Sequence, residues 1–287
     1  MAAPSTGCST RRSTPCSPTR CPNCRSGRPD SPRSPYDRLP GVARPPIQDR
    51  PLRRSRPIGI LPPPTQAVLT VNGVELVADR CGVLWWPARS TVAVADLHLE
   101  KGSGYAARGA LVPPYDTTET LARLTEVIVR LQPERVICLG DSFHDRGAAG
   151  RLAPADAARL SALIAGRDWI WIAGNHDPSP PDVWGGRVLG SLTDGALVFR
   201  HEAQRGAVGE LSGHYHPKAT IRTRGRRVTA RCFVGDGRRL ILPAFGAYTG
   251  GLDVLDPAIA GLLDRRFHVH LVGRSRLYSL PRGALVH

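Results

Sequence analysis

Side chains that can bind a metal follow three separate apolar runs, each of the length of a β-strand. The clusters are Asp96-Leu97-His98 after residues 91–95, Gly140-Asp141 after residues 135–139, and Gly174-Asn175-His176-Asp177 after residues 169–173. Residues two apart in a strand point to the same side, so Asp96 and His98 can converge on one ion. A single Asp-x-His is equally typical of a surface loop. Its recurrence at the ends of three strands favours a metal site.

Further histidines extend the candidate ligand set. His201 ends another apolar run, and His214 and His216 repeat the two-residue spacing. The possible ligands are Asp96, His98, Asp141, Asn175, His201, His214 and His216. These are too many for one tetrahedral site and suit two divalent ions. Oxygen and imidazole ligands without a thiolate argue against Ca²⁺ and against a closed structural zinc site. We expect Mn²⁺, with Fe²⁺ and Zn²⁺ as alternatives.

Positive charge is concentrated at the beginning of the chain. The net charge is +15, and residues 1–65 contribute +9 of it together with 15 of the 27 prolines. Such a segment buries too little apolar surface to offset the entropy lost on ordering. We predict a disordered Pro/Ser/Arg-rich tail over residues 1–65 and one domain over residues 66–287. No apolar run of signal-peptide or membrane-span length is visible, so we expect a cytoplasmic protein without a membrane partner.

The order of the predicted elements indicates an α/β fold. Apolar residues recur at helical spacing over residues 117–131, between Pro113-Pro114 and Pro133, and a second helix is predicted over residues 155–165. These helices alternate with the three strands as β-α-β crossovers. After Pro178 the chain changes to short strands and turns. We therefore predict two packed mixed β-sheets flanked by helices.

The ordered motifs resemble those of a known superfamily. Asp-x-His, Gly-Asp, Gly-Asn-His-Asp, a single His and Gly-His-x-His follow one another as in the calcineurin-like binuclear metallophosphoesterases, over nearly all of residues 91–217. Residues 96–102 (DLHLEKG) and 242–251 (LPAFGAYTGG) are similar to those of a bacterial branch, the ligase-associated DNA damage response endonucleases. The resemblance implies a phosphodiesterase that cleaves DNA internally during repair, with an ATP-dependent DNA ligase and a helicase as partners.

The resemblance also implies how the ligands are shared between two ions. One ion would be held by Asp96, His98 and His216. The other would be held by Asn175, His201 and His214. Asp141 would bridge both, because a carboxylate offsets the repulsion between two cations. Ions about 3.5–4 Å apart can clamp a phosphate and activate a water for in-line attack, which suits hydrolysis without a protein nucleophile.

Three residues outside the ligand set are implied to act near the phosphate. His176 would be an electrophilic stabiliser or general acid, and Asp177 is a candidate to orient it. His144 occupies the position of a histidine that helps at the reacting phosphate in related repair nucleases. His144 could equally be a histidine that supports the site without touching the phosphate, or one at the protein surface.

The substrate follows less directly from the residues. A predicted basic hairpin after His216 carries Arg222, Arg224, Arg226 and Arg227, and Lys101 and Arg108 follow the first ligands. These cations can track a nucleic-acid backbone, or they can be a solvated charged surface. We predict an endonuclease acting on single-stranded or unpaired DNA. The alternatives are a small-molecule or nucleotide phosphoesterase with the same metal site, and a nucleic-acid-binding module whose metals are structural.

Overall fold

The structure is a computed structural model that describes residues 65–179 and 182–287. The tail predicted over residues 1–65 lies outside this part of the chain except for Thr65, so its disorder stays a prediction. The described residues contain two mixed β-sheets, one of seven strands and one of eight. No helix in the described residues is both long enough and apolar enough to cross a membrane.

The first sheet has seven strands arranged in chain order. They are β1 (Gln66–Val71), β2 (Val74–Asp79), β3 (Leu84–Trp86), β4 (Thr91–Val94), β5 (Arg135–Cys138), β6 (Asp168–Ile172) and β7 (Arg187–Leu189). β1 to β4 pair antiparallel, and β4 to β7 pair parallel. Asn72 and Gly73 both have positive φ, so they form the β1–β2 hairpin turn that their sequence predicts. β4, β5 and β6 are almost entirely buried, as expected of parallel strands covered on both faces.

The second sheet is built from the C-terminal strands. Its strands are β8 (Ser191–Asp194), β9 (Leu197–Arg200), β10 (Glu210–Ser212), β11 (Lys218–Thr223), β12 (Arg226–Gly235), β13 (Arg239–Ile241), β14 (His268–Val272) and β15 (Leu277–Pro281). The spatial order is β15-β14-β12-β13-β10-β9-β8, and β11 pairs with β12 as a hairpin outside this order. β9, β10 and β13 run parallel, so the ends of β9 and β10 lie at the same edge.

The helices lie on the outer faces of the two sheets. Those on the first sheet are α1 (Lys101–Ala106), α2 (Asp116–Leu131), α3 (Ala148–Arg151) and α4 (Pro154–Ile164), whereas α5 (Pro257–Ala260) packs against the second sheet through Ile259. Leu121, Leu124 and Ile128 of α2 pack with Leu160 of α4 against Trp171 of the sheet. α2 ends at Leu131 because Gln132 takes a left-handed conformation directly before Pro133. Residues 65–179 and 182–287 also contain three single 3₁₀ turns: Pro87–Arg89, Asp182–Trp184 and Arg282–Ala284.

A second apolar core joins the two sheets face to face. Ile137 and Ile170 of the first sheet pack in one buried cluster with Phe199, Leu211 and Phe233 of the second. This arrangement confirms the predicted fold of two packed mixed sheets flanked by helices. Strands β8 and β10 and the short helices α1, α3 and α5 were absent from the prediction, because segments of three to six residues show too little periodicity to detect.

Candidate metal centre

Five strands end beside one another and deliver the candidate ligands. β4, β5 and β6 of the first sheet are followed by Asp96 and His98, by Asp141, and by Asn175, and β9 and β10 of the second sheet are followed by His201 and by His214 and His216. The first two loops are bonded through their backbones. The N–H of His98 donates to the carbonyl of Asp141 at 2.9 Å, and the N–H of Leu99 donates to Ser142 at 2.9 Å. These backbone hydrogen bonds hold the loop with Asp96 and His98 against the loop with Asp141.

Most candidate ligands have an unusual backbone conformation. Asp96, His98, Asp141, His214 and His216 have φ of 53°, 44°, 45°, 70° and 48°. L-residues other than glycine seldom adopt this left-handed region, because the Cβ crowds the following carbonyl. Among the described residues, half of the ten non-glycine positions with positive φ are candidate ligands. Such strain is typical of functional sites, where the surrounding structure enforces it.

The first cluster contains Asp96, His98 and His216. The Nε2 atoms of His98 and His216 lie 3.3 Å apart, and Oδ1 of Asp96 lies 3.4 Å from Nε2 of His216. The Asp96 carboxylate is fully buried and also accepts the N–H of His214 at 3.0 Å. This hydrogen bond ties the loop after β4 to the loop after β10.

The second cluster contains Asp141, His201 and His214, with Asn175 beside them. Oδ1 of Asn175 lies 2.9 Å from both Nε2 of His201 and Nδ1 of His214. Oδ2 of Asp141 lies 3.4 Å from Nε2 of His201 and 3.9 Å from Nε2 of His98 in the first cluster. One carboxylate oxygen therefore lies near ligand atoms of both clusters.

The chemistry of the donor set fits two cations. Nδ1–H of His201 donates to the carbonyl of Leu139 at 2.9 Å, which directs Nε2 at the oxygens of Asn175 and Asp141. Once Nε2 gives up its proton, its lone pair faces theirs. Lone pairs converge favourably only around a positive charge. Ligand atoms bound at about 2.1 Å to one ion lie roughly 3.0–3.4 Å apart in octahedral or tetrahedral geometry. The separations of 2.9–3.4 Å in the two clusters are close to this range, so these His and Asp clusters can bind divalent ions.

Two buried histidines of the site, His98 and His201, have different charge states when no ion is bound. Burial lowers the pKa of His98 to about 2, and His216 acts in the same direction, so His98 is a neutral imidazole. Burial also opposes the charged form of His201, but the hydrogen bond and charge of Asp141 outweigh it and raise the pKa to about 9. A proton on His201 thus supplies positive charge in the second cluster when no ion is bound.

The structure places His176 and His144 together beside the first cluster. Their rings stack with centroids 5.3 Å apart, and each ring is within 6 Å of the His98 ring. Nδ1–H of His176 donates to the backbone carbonyl of His144 at 2.9 Å, so Nε2 is left for a substrate. Burial, followed by the charge of Lys101, lowers the pKa of His144 to about 4.

Asp177 has a different role from the predicted one. Its Oδ2 accepts the N–H groups of Ser142 and Phe143 at 2.8 Å and 3.1 Å, so it holds the loop that carries Asp141. The residue that fixes the His176 ring is His144, through its carbonyl oxygen. The prediction that Asp177 orients His176 is therefore wrong. The backbone turn after Asn175 directs the Asp177 side chain into the neighbouring loop, away from the His176 ring.

The predicted phosphate contacts fall into two groups. Arg108 lies at the site, and its guanidinium donates to Nε2 of His144 at 2.9 Å. Lys101 and Arg108 both lie near the face of the Tyr105 ring. Tyr105 and Arg108 border an open cleft of about 620 Å³, here called the His176 cleft, which is lined by Tyr105, Arg108, His144, Asp145, Arg146, Asn175 and His176.

The basic hairpin exists as predicted, but its tip is distant from the ligands. β11 and β12 pair from Lys218 and Arg231 at the base to Thr223 and Arg226 at the tip. Five residues of extended strand span about 17 Å, so only a long substrate can contact the tip and the metal centre together. The four hairpin arginines are exposed, and Arg227 donates to the carbonyl of His287.

The sequence could not predict which backbone carbonyls accept hydrogen bonds from the histidines of the site. The carbonyls of Leu139 and His144 orient His201 and His176, and no residue type signals such a role. Asp145 was also missed, although it forms a two-pronged ion pair with Arg151 at the cleft edge. An acid before a single-turn helix and an arginine at its end, six residues later, give no recognisable pattern.

Comparisons with known proteins agree with this site. Residues 90–229 match the family model described as calcineurin-like phosphoesterase. The crystal structure of the nuclease MPE from Pseudomonas putida has a TM-score of 0.58 and 27% identity, covering 75% of this chain and 100% of that chain. No curated protein matches the chain.

Two other solved structures are more distant. Yfce, a phosphoesterase from E. coli, has a TM-score of 0.36 and 12% identity over 66% of this chain and 97% of that chain. A conserved protein from Streptococcus pneumoniae described as a predicted phosphoesterase has a TM-score of 0.27 and 16% identity over 67% and 97%. The family match and the clusters of metal-binding side chains lead to one assignment. Residues 90–229 form a calcineurin-like phosphoesterase domain, and the protein is a metal-dependent phosphoesterase.

Proposed function

We propose that the protein is a Mn²⁺-dependent phosphodiesterase with two metal ions that cuts single-stranded or unpaired DNA internally during DNA repair. The observation that carries this proposal is the His176 cleft, which runs open along the metal centre and is bordered by the exposed side chains of Tyr105, Arg108 and Arg146. An open, cationic cleft accommodates a polymer that extends beyond the scissile phosphate. The similarity to a nuclease over that protein's whole length supports the same substrate class.

Different residues of the site would bind the ions, contact the phosphate and supply positive charge. Two bound ions would neutralise phosphate charge and lower the pKa of a water toward neutrality. Asp96, His98 and His216 would hold one ion and Asn175, His201 and His214 the other, with Asp141 between them. His176 presents Nε2 to a phosphate oxygen because its Nδ1–H is bound to the His144 carbonyl. Arg108 adds a positive charge at the same edge of the cleft.

The proposed partners rest on resemblance alone. Residues 96–102 and 242–251 are similar to those of the ligase-associated branch, which supports an ATP-dependent DNA ligase and a helicase as partners. The cytoplasmic location stays a prediction.

Incision of circular single-stranded DNA with Mn²⁺ tests the proposal, because a circle has no ends and any cut in it is internal. Bis(p-nitrophenyl) phosphate and p-nitrophenyl phosphate are assayed beside it. We expect linear product from the wild type and none from Asp141→Asn, which loses the carboxylate between the two clusters. Asp264→Asn, a matched change at an exposed position far from the ligands, controls for the loss of one carboxylate. Hydrolysis of the small esters without incision of the circle would refute the endonuclease assignment.

His176→Ala separates chemistry from metal binding. We expect bound Mn²⁺ to be unchanged and turnover to fall by about 10²-fold, since His176 contacts the phosphate rather than an ion. His268→Ala, an exposed histidine in β14, is the matched control. Loss of bound metal in His176→Ala would instead make His176 a ligand and contradict its assigned role.

A further inference from the structure

A second cleft, of about 310 Å³, opens beside the candidate ligand His216. Its lining consists of Glu119, Arg123, His216, Lys218, Arg231, Ala244, Gly246, Ala247, Thr249 and Gly250. We call it the basic cleft. It shares no lining residue with the His176 cleft, and each of the two is bordered by candidate ligands, His216 here and Asn175 there. The metal centre therefore lies between the two clefts.

The basic cleft has more positive than negative charge. Arg123, Lys218 and Arg231 face a single acid, Glu119. Glu119 is mostly exposed and approaches Arg123 only to 4.0 Å, so this pair contributes little. Neither Lys218 nor Arg231 forms an ion pair with any residue in the described part of the chain. Two cations thus lack a carboxylate partner at this surface.

Arg231 is the more deeply placed of these cations. It donates to the carbonyls of Ala244 and Cys81, both at 3.1 Å, which leaves three of its five N–H groups for another acceptor. Burial, followed by the charge of Arg123, lowers the pKa of Arg231 to about 10, yet it stays charged at neutral pH. A half-buried cation without a counter-charge is unfavourable by itself, and a bound anion removes the penalty.

The wall formed by residues 246–250 is suited to a close backbone approach. Within the described residues, the N–H groups of Thr249 and Gly250 donate to no acceptor, and a Cβ at Gly250 would meet open space. The wall is tied to the metal centre, because the N–H of Gly246 donates to the carbonyl of Asp96 at 3.0 Å. Two residues with unused amide donors and three cations hence line one small volume beside the ligands.

We propose that the basic cleft binds a backbone phosphate of the DNA strand next to the scissile phosphate, through Lys218, Arg231 and the amides of Thr249 and Gly250. This inference rests on the proposed endonuclease function and extends it, because it gives the strand a path from the His176 cleft across the metals. Lys218 lies two residues beyond His216, at most about 7 Å along the backbone, which places the contact one flanking position away from the ligands.

The test compares Lys218→Ala with Arg159→Ala, a variant that loses one positive charge on the outer face of α4. Binding of a single-stranded oligonucleotide is measured by fluorescence anisotropy as a function of salt. We expect Lys218→Ala to weaken binding about fivefold and to reduce the slope of log K against log salt by roughly 0.7, the value for one single-strand phosphate contact. Lys218→Arg should restore both quantities. Equal binding by Lys218→Ala and Arg159→Ala would overturn the proposal.

Cleavage provides a second measurement, which separates loss of the phosphate contact from damage to the metal site. Thymidine 5′-(p-nitrophenyl phosphate) has a scissile phosphate but no flanking one, whereas an oligonucleotide has both. We expect kcat/KM of Lys218→Ala to fall at least about fivefold further on the oligonucleotide than on the ester. Equal losses on both substrates would show that Lys218 supports the metal site itself and would overturn the proposal.

The two hypotheses fail in different ways. Wild-type protein that binds the oligonucleotide through Lys218 but never cuts the circle would refute the endonuclease function and keep the phosphate site. Wild-type protein that cuts the circle, with Lys218→Ala behaving like Arg159→Ala, would keep the endonuclease function and refute the phosphate site.

Discussion

Replacing Gly174 by alanine tests how tightly the loops around Asp141 are packed. A Cβ at position 174 would lie 2.6 Å from Oδ1 of Asp177 and would overlap both the amide nitrogen and Oδ1 of Asp141. Real Cβ contacts begin near 3.0 Å, so these groups must separate by about 0.5 Å or more. Two of the three contacts are to Asp141, the residue whose carboxylate lies between the clusters. The substitution therefore moves a candidate ligand without altering any ligand's chemistry.

The expected magnitudes follow from that displacement. Overpacking of this kind costs about 1–3 kcal/mol, which lowers the melting temperature of a domain of this size by about 2–12 °C. A displacement approaching 1 Å at a reacting centre costs about 10²-fold in turnover. The Mn²⁺ concentration for half-maximal activity should rise as well, because Oδ1 of Asp141 loses the N–H of His176 that now holds it at 2.8 Å.

Gly190→Ala is the matched control for this substitution. Gly190 lies in the exposed turn between β7 and β8, its φ is not positive, and a Cβ there meets no atom within 4 Å. Melting temperature by scanning calorimetry and Mn²⁺-dependent ester hydrolysis are measured for both variants. If Gly174→Ala matched Gly190→Ala in both assays, the inferred close packing of the β5 and β6 loops would be wrong.

Two further substitutions test the fold and the substrate path. Asp79→Asn should lower the free energy of unfolding by about 2 kcal/mol at pH 7, because the buried Asp79 carboxylate accepts hydrogen bonds from Cys81 N–H, Gln66 and Arg130. Burial acts to raise the pKa of Asp79, but these bonds outweigh it and lower the pKa, so the stabilisation is complete above about pH 4 and is lost as pH falls further. Urea unfolding at pH 7 and pH 3 measures this, and an equal deficit at both values would contradict it. Changing the four exposed arginines of the hairpin to alanine should weaken the binding of long oligonucleotides and flatten the salt dependence of that binding. Short oligonucleotides should bind as before, since the tip lies about 17 Å from the base. The positions changed are Arg222, Arg224, Arg226 and Arg227.

Five of the seven candidate ligands could be proposed from the sequence because each follows a strand that is easy to recognise. The runs before Asp96, Asp141 and Asn175 are continuous apolar segments, and parallel strands bring their ends to one edge. The short strand β10, with three residues, shows no periodicity, yet it delivers His214 and His216. Those two were found from their own spacing.

Side-chain orientation could not be predicted from the same patterns. The direction of Asp177 depends on the turn after Asn175, and the pairing of Arg108 with His144 joins residues 36 positions apart. The basic cleft was missed for the same reason. Its cations come from α2, β11 and β12, which meet only in the folded chain.

The left-handed backbone of the ligands has a consequence for how such a site can evolve. At Asp96, His98, Asp141, His214 and His216 the conformation disfavours the residue present by about 1–2 kcal/mol each, whereas glycine would adopt it without strain. Substitutions that relax these loops are available at every one of the five positions, and each of them removes a candidate ligand. Selection for a more stable metal-free chain and selection for hydrolysis therefore act in opposite directions at the same residues, and thermostable variants of this domain must obtain their stability elsewhere.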